Sequence, residues 1–290
     1  MTKKSISIHS FKNVVKKYDV VFFDAYGVLK NSSGLIDGIE NTFTYLSKKG
    51  IEFYVLTNDA SRGPAELAKS YEEHGLPEIT ADKIISSGML ASEYLKYKVK
   101  GGVVAYLGTE DSAHYIEEFG FETVSIADLE LEKVDDISAL VFLDDEGFDW
   151  NHDINKIVNL LRKRNIPVIV ANTDKSYPVS SDEVAIAVGS IADMLEDVLG
   201  RVFIRFGKPD AQMFSFAYDH ISKGEEISKN KILMVGDTLT TDIIGGNKFG
   251  IDTVLVLTGN TLLENAGARI KSSGIIPDYI CQSATIPLDI

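Results

Sequence analysis

Short runs of β-branched and aromatic residues recur along the chain, and each ends in a polar residue before a helix-like segment. Three such runs, each given with the polar residue that follows it, are 20–23 with Asp24, 51–56 with Thr57, and 232–235 with Asp237. This alternation is typical of a parallel sheet whose strands are joined by helical crossovers. The sequence therefore predicts an α/β fold in which polar side chains collect at one edge of the sheet.

A second set of predicted elements lies in the middle of the chain. The strands are expected at 103–107, 139–143 and 167–171, and the helices at about 111–119 and 151–164. No Pro/Gly/Ser-rich linker separates this stretch from the rest of the chain. These residues alone leave open whether the stretch continues the first sheet or forms a separate domain.

The composition excludes several classes of function. The formal net charge is −14, so most of the surface repels nucleic acid phosphates and anionic lipid. No apolar stretch reaches the roughly 18 to 20 residues that a membrane-spanning helix needs. The one cysteine, Cys281, has no partner for an intramolecular disulfide. We therefore expect a cytoplasmic protein that binds neither nucleic acid nor a membrane.

Four polar groups follow strand-like runs, namely Asp24, Thr57, Lys208 and the pair Asp237/Asp242. Each group taken singly also has a structural explanation, such as a turn cap, a helix N-cap or a solvated loop. Three carboxylates at one sheet edge would form an oxygen-rich site suited to Mg²⁺. Without a cation, two carboxylates about 4 Å apart repel by roughly 4 kcal/mol at an effective dielectric of 20. The acidic groups therefore imply a bound cation.

Taken together, these groups resemble the motifs of the haloacid dehalogenase (HAD) superfamily, in the expected order along the chain. The matching segments are 22–29, 55–58, 207–210 and 236–242. The resemblance implies a Rossmann-like parallel-sheet HAD core with an inserted α/β cap domain. On this basis the core is expected at 1–97 and 201–290, and the cap at 98–200.

The place of the insertion indicates a subfamily. Thr57 and Lys208 are 151 residues apart, whereas Asp24 and Thr57 are only 33 residues apart, so only the longer interval has room for a cap. This arrangement resembles subfamily IIA, with its C2-type cap, which contains 4-nitrophenylphosphatase, pyridoxal phosphatase and predicted sugar phosphatases. The segments 86–89, 171–174 and 257–259 agree with the same subfamily.

The resemblance implies a Mg²⁺-dependent phosphatase, a phosphoric monoester hydrolase, that acts on a small phosphorylated metabolite such as a sugar phosphate. Asp24 would attack phosphorus and form an aspartyl-phosphate. The implied residues are, for catalysis, Asp24, Tyr26, Thr57 and Lys208; for the phosphate and the substrate, Thr57, Asn58, Lys208, Asn172 and Asp174; and for the metal, Asp24, the Tyr26 carbonyl, Asp237 and Asp242. A homodimer and the identity of the substrate are left open.

Tyr26 departs from the phosphatase pattern, which usually has a second aspartate two residues after the nucleophile. A phenol, with an ordinary pKa near 10, can donate a proton but is a poor base at neutral pH. Asp59 or Asp174 could replace it, and the alternative is a weakly active or inactive protein that binds a phosphorylated ligand. A metal-free 2-haloacid dehalogenase has a similar first motif, but the Asp237/Asp242 pair would have no role in it.

Overall fold

The computed structural model describes residues 6–179, 183–222 and 226–287, so the predicted outer domain limits, residues 1 and 290, lie outside the described residues. The chain forms two compact units. The core unit comprises Met1–Thr57, Leu67–Ile85 and Lys208–Ile290, and the inserted unit comprises Asn58–Glu66 and Ser86–Gly207. The domain ranges given above stay a prediction.

The described part of the chain contains the following regular elements. The strands are β1 (Val20–Phe23), β2 (Lys30–Asn31), β3 (Gly34–Leu35), β4 (Glu52–Thr57), β5 (Ile84–Ser86), β6 (Val103–Leu107), β7 (Glu122–Ser125), β8 (Ile137–Phe142), β9 (Val168–Val170), β10 (Ser176–Pro178), β11 (Val184–Ile186), β12 (Ile204–Arg205), β13 (Ile232–Gly236), β14 (Asp252–Val256) and β15 (Tyr279–Cys281). The helices are α1 (Phe11–Val15), α2 (Ile39–Lys49), α3 (Pro64–Glu73), α4 (Ser87–Lys98), α5 (His114–Glu117), α6 (His152–Lys163), α7 (Val188–Leu199), α8 (Ala211–Ser222), α9 (Ile244–Phe249) and α10 (Leu263–Ser273).

The core unit is built on a six-stranded sheet in the order β15-β14-β13-β1-β4-β5. Strand β1 pairs in parallel with β13 on one side and with β4 on the other. Every residue of β1 and of β13 is buried, which is the pattern of strands in the middle of a parallel sheet covered on both faces. These two strands lie within a residue of their predicted limits.

The inserted unit has its own five-stranded sheet, in the order β12-β9-β8-β6-β7, and its described pairings are parallel. The middle stretch therefore does not continue the first sheet. A two-stranded antiparallel sheet, β10-β11, accompanies it. The helix expected at 111–119 is instead a single 3₁₀ turn, Asp111–Ala113, followed by the short helix α5. None of the described helices is long and apolar enough to span a bilayer.

Each unit has its own hydrophobic interior. In the core unit, apolar residues of β1, β4, β13 and β14 pack against α1 and α2. In the inserted unit, residues of β6, β8 and β9 pack against α6 and α7 on one face of the sheet, and against α4 and α5 on the other. In the core unit, β1 and β13 are buried along their whole length, which makes their carboxyl ends a rigid place for a site.

Candidate active site

Three neighbouring strands of the core unit bring the predicted polar residues to one edge. Phe23 of β1 lies beside Val55 of β4 and Val235 of β13. The Asp24 N–H then donates to the Val235 carbonyl at 2.9 Å, which fixes the backbone immediately after β1. Thr57 ends β4 and Asp237 follows β13, so both lie at the same sheet edge as Asp24.

Asp24, Asp237 and Asp242 form an acidic cluster in which one potential ligand atom of each lies within 4.8 Å of the others. Asp242 reaches the cluster from a π-helical turn, Leu239–Ile243. Its Oδ2 accepts the Thr238 N–H at 3.1 Å, and its own N–H donates to the Thr238 carbonyl at 3.1 Å. This reciprocal pair of bonds fixes the Asp242 carboxylate relative to the end of β13.

Lys208 is the cation of this cluster, and its side chain is only 2% exposed. Its Nζ donates to Asp24 Oδ1 at 2.6 Å and to Asp242 Oδ1 at 2.8 Å. Burial lowers the pKa of this ammonium, but the negative charges of Asp24 and Asp242 outweigh burial and raise it above its ordinary value. The ammonium therefore stays protonated at neutral pH.

One ammonium does not balance three carboxylates, and the pKa values of the two most deeply buried acids reflect this. Burial and the neighbouring Asp24 raise the pKa of Asp237 to about 7. Burial, partly offset by Lys208, raises the pKa of Asp242 to about 8. A carboxylate in such a place is stabilised by a further positive charge.

Two glycines make room for the Asp237 carboxylate. A Cβ at Gly259 would lie 2.0 Å from Asp237 Oδ2, and a Cβ at Gly27 would lie 2.4 Å from the same oxygen. This oxygen also accepts the Asn260 N–H, and Asp237 Oδ1 accepts the Thr238 hydroxyl at 2.9 Å. Asn260 was not among the site residues predicted from the sequence, and the segment 257–259 was noted only because it resembles the same subfamily.

The donor set fits a hard divalent cation. Carboxylate oxygens are the ligands that Mg²⁺ and Ca²⁺ prefer, and the excess negative charge of the cluster favours cation binding. The Tyr26 carbonyl, the fourth predicted ligand, stays a prediction. The Tyr26 side chain is half-buried; burial raises the pKa of its phenol, and a hydrogen bond with Ser32 lowers it in part.

The remaining predicted residues divide between the two units. Thr57 is buried at the end of β4 in the core unit. Asn58, Asn172 and Asp174 belong to the inserted unit and lie together there. The Asn58 amide donates to Asp174 Oδ1 at 2.9 Å, and the Asp174 N–H donates to Asn172 Oδ1 at 2.9 Å. Their roles toward phosphate and substrate stay predictions.

Comparison with protein families gives two matches that together cover most of the chain. Residues 21–122 match the haloacid dehalogenase-like hydrolase model, and residues 205–285 match a second, HAD-hydrolase-like model. The crystal structure of a possible sugar phosphatase of the HAD superfamily from Cytophaga hutchinsonii is 58% identical in sequence, with a TM-score of 0.94. The match covers 98% of this chain and 100% of that chain.

Two further proteins are similar over nearly the whole chain. Phosphoglycolate phosphatase 2 of Arabidopsis thaliana is 29% identical, over 96% of this chain and 95% of the relative. A glycerol phosphate phosphatase from Mycobacterium tuberculosis, solved in complex with magnesium, is 24% identical with a TM-score of 0.75, and the match covers 93% of this chain and 77% of that one. This last likeness concerns the fold.

The chain therefore belongs to the HAD superfamily of hydrolases, and its fold is the α/β HAD fold. Within that superfamily it is a phosphatase, like the relatives that match it over their whole length. The family resemblance and fold class predicted from the sequence are thus confirmed.

Proposed function

We propose that the chain is a Mg²⁺-dependent phosphatase that hydrolyses a small phosphorylated metabolite, such as a sugar phosphate, through an aspartyl-phosphate at Asp24. The observation that carries the proposal is the cluster of three carboxylates and one buried ammonium beside the carboxyl ends of β1 and β13. This combination supplies a nucleophile, a cation site and a fixed positive charge in one place.

In the first step, a carboxylate oxygen of Asp24 attacks the phosphorus atom. The bond between phosphorus and the ester oxygen breaks, and the leaving alkoxide takes up a proton to become the alcohol. Lys208 holds the Asp24 carboxylate through its 2.6 Å bond and presents a fixed positive charge to a phosphoryl oxygen. The Thr57 hydroxyl would donate to a second phosphoryl oxygen.

In the second step, water attacks phosphorus and breaks its bond to Asp24, which regenerates the carboxylate and releases inorganic phosphate. Mg²⁺ held by Asp24, the Tyr26 carbonyl, Asp237 and Asp242 would offset the charge of the carboxylates and of the phosphoryl group. The Tyr26 phenol can protonate the leaving group, but it is a poor base for activating water.

The names of the relatives support the proposed class of substrate. The 58% identical structure is described as a possible sugar phosphatase, and the Arabidopsis relative is named for phosphoglycolate. Both names indicate small phosphorylated metabolites. We further propose that Asn172 and Asp174 contact the leaving group. A cytoplasmic location and a homodimer remain predictions.

The test is release of inorganic phosphate from sugar phosphates, phosphoglycolate, glycerol phosphate and 4-nitrophenyl phosphate, with Mg²⁺ and with a chelator. We expect release only with Mg²⁺, and none from the Asp24→Asn variant. Asp19→Asn is the matched control, because Asp19 precedes β1 at its opposite end and its side chain is 68% exposed. Release that survives in Asp24→Asn, or that is equal in chelator, would contradict the proposal.

A further inference from the structure

The side chain of Asn58 is buried and contacts two separate segments of the inserted unit. Its Nδ2 donates to Asp174 Oδ1 at 2.9 Å and to Thr173 Oγ1 at 3.2 Å, in the turn that follows β9. Its Oδ1 lies against Gly207, where an added Cβ would be only 2.6 Å from that oxygen. The amide therefore links the turn after β9 to the end of the inserted unit.

The backbone of Asn58 is held from a third segment. Ser87 at the start of α4 donates its hydroxyl to the Asn58 carbonyl at 3.0 Å, and Ser87 is fully buried. This serine belongs to the segment 86–89, which had no assigned role in the sequence analysis. Asn58 is thus fixed at both its side chain and its carbonyl.

These contacts coincide with the places where the chain passes from one unit to the other. It does so between residues 57 and 58, 66 and 67, 85 and 86, and 207 and 208. Asn58 lies at the first passage, Ser87 close to the third, and Gly207 at the fourth. Asn58 and the residues that it contacts therefore lie at or next to three of these four points. Thr57 is bonded to Asn58, and Lys208 is bonded to Gly207.

We propose that Asn58 is a positioning residue of the phosphoryl-transfer site: its hydrogen bonds fix the backbone beside Thr57, and its close packing against Gly207 fixes the backbone beside Lys208. This inference rests on the proposed function, because it assigns Thr57 and Lys208 to the phosphoryl group. A displacement of about 1 Å in a positioned group can lower the rate by roughly 100-fold.

The chemistry of the site favours an asparagine at position 58. The amide nitrogen carries two hydrogens, one for each of the acceptors on Thr173 and Asp174. An aspartate has the same shape but no donor, and its charge would repel Asp174. Gly207, at φ +125°, has no room for a side chain beside the Asn58 oxygen. The contact therefore depends on the polarity of residue 58 as well as on its size.

The test exchanges the donor and the acceptor of the hydrogen bond between Asn58 and Asp174. Asn58→Asp places two carboxylates together, whereas the double variant Asn58→Asp/Asp174→Asn restores a donor and an acceptor with their roles exchanged. With 4-nitrophenyl phosphate and Mg²⁺, we expect Asn58→Asp to lower kcat/KM by about 10- to 100-fold and to weaken inhibition by inorganic phosphate. We expect the double variant to recover the inhibition by inorganic phosphate, because phosphate carries no leaving group for Asp174 to contact.

Asn155→Asp is the matched control, because Asn155 is exposed on α6 and its side-chain amide donates to the Asn151 carbonyl. A loss of folded protein alone would lower kcat but leave the inhibition constant of phosphate unchanged. The inference is overturned if that constant stays unchanged in Asn58→Asp, or if the double variant is no better than Asn58→Asp.

The same variants separate this inference from the proposed function. If the wild type hydrolyses none of the substrates, the proposed function fails. The rise in melting temperature that phosphate and Mg²⁺ cause by binding still tests Asn58 in that case. A rise that is lost in Asn58→Asp and regained in the double variant supports the inference. An equal rise in all variants, or none in the wild type, overturns it.

Discussion

Lys208 Nζ lies 2.6 Å from Asp24 Oδ1, and this short contact joins residues 184 positions apart in the chain. The ammonium is almost fully buried, whereas the Asp24 side chain is 16% exposed. The Asp24 carboxylate, the proposed nucleophile, is therefore held from its buried side and remains open to solvent on the other. This arrangement fixes the direction from which Asp24 can attack a phosphoryl group.

Replacing Lys208 by methionine tests this role. Lys208→Met keeps most of the side-chain volume but leaves Asp24 and Asp242 without their cation. We expect kcat/KM for 4-nitrophenyl phosphate to fall by about 10²- to 10³-fold, as for the loss of one donor to a transition state. We also expect the metal-free protein to melt at a lower temperature, because a buried charge has lost its partner.

Lys156, a second buried lysine, provides a control that separates the loss of catalysis from the loss of stability. Lys156 of α6 donates to the Ile126 and Ala127 carbonyls at 2.7 Å and lies 3.1 Å from Asp153 Oδ1. Lys156→Met should lower the melting temperature while leaving kcat for the folded enzyme unchanged. Equal losses of kcat in Lys156→Met and Lys208→Met would contradict a catalytic role for Lys208.

Gly259 gives a prediction about the metal. In Gly259→Ala the added methyl group would lie 2.0 Å from Asp237 Oδ2 and 2.7 Å from the Gly27 Cα, so the carboxylate or the backbone must move. We expect Mg²⁺ affinity, measured by calorimetry, to fall by at least about tenfold, because Mg²⁺ requires near-ideal ligand geometry.

The control for this variant is Gly267→Ala in α10. Its added methyl group meets only the end of the Ile6 side chain, at 3.3 Å, and alanine is favoured over glycine within a helix by up to about 1 kcal/mol. Gly267→Ala should keep the affinity for Mg²⁺. An unchanged affinity in Gly259→Ala would show that Asp237 does not bind the metal.

Tyr26 gives a prediction about the rate of the second step. A carboxylate at position 26 could accept a proton from the attacking water, which the phenol, with its raised pKa, does poorly. We expect Tyr26→Asp to raise kcat by up to about 100-fold where hydrolysis of the aspartyl-phosphate limits turnover. Burst kinetics with 4-nitrophenyl phosphate measure this step directly.

Tyr26→Asn is the matched variant for that experiment. Asparagine has the size of aspartate but no base, and so it reports the effect of removing the ring alone. If both variants change kcat equally, acid–base catalysis does not explain the effect, and another group must activate the water.

The site residues that could be predicted from the sequence are those that stand at or just after the end of a strand-like run. Asp24 follows a buried strand and Thr57 ends another, and parallel strands align their carboxyl ends. The alternation of strand-like and helix-like runs was therefore enough to predict that they lie at one edge of the sheet. Gly259 and Asn260 are different, because only the folded chain shows that they surround the Asp237 carboxylate.

The same reasoning applies to Asn58. Its place after Thr57 predicted a role at the phosphate, but the partners of its amide are 115 and 116 residues away in sequence. The periodicity of a sequence does not predict a hydrogen bond between residues so far apart in the chain. The separate sheet of the inserted unit was likewise indicated by the family resemblance. No linker of distinctive composition marks the points where the chain crosses between the two units.

Asp144, in the loop after β8, predicts how the stability of the protein depends on pH. Burial and the neighbouring Asp145 raise the pKa of Asp144 to about 6, Asp59 and Glu146 add to this, and a hydrogen bond from the Asp145 N–H opposes it. The folded protein then retains a proton that the unfolded chain, with an ordinary value of 3.8, has already lost. The contribution of Asp144 to stability therefore falls as pH rises from about 4 to about 6, and it is constant above that range.

Asp144→Asn removes this titration and keeps an oxygen for the Asp145 N–H, which Asp144 Oδ1 accepts at 2.8 Å. We expect the variant to match the wild type in free energy of unfolding near pH 4 and to exceed it at pH 7.5, as measured by urea denaturation at both values. Asp135→Asn is the control, because that side chain is 98% exposed and should leave the difference between the two pH values unchanged. Parallel pH profiles for Asp144→Asn and the wild type would show that the folded protein does not hold this proton.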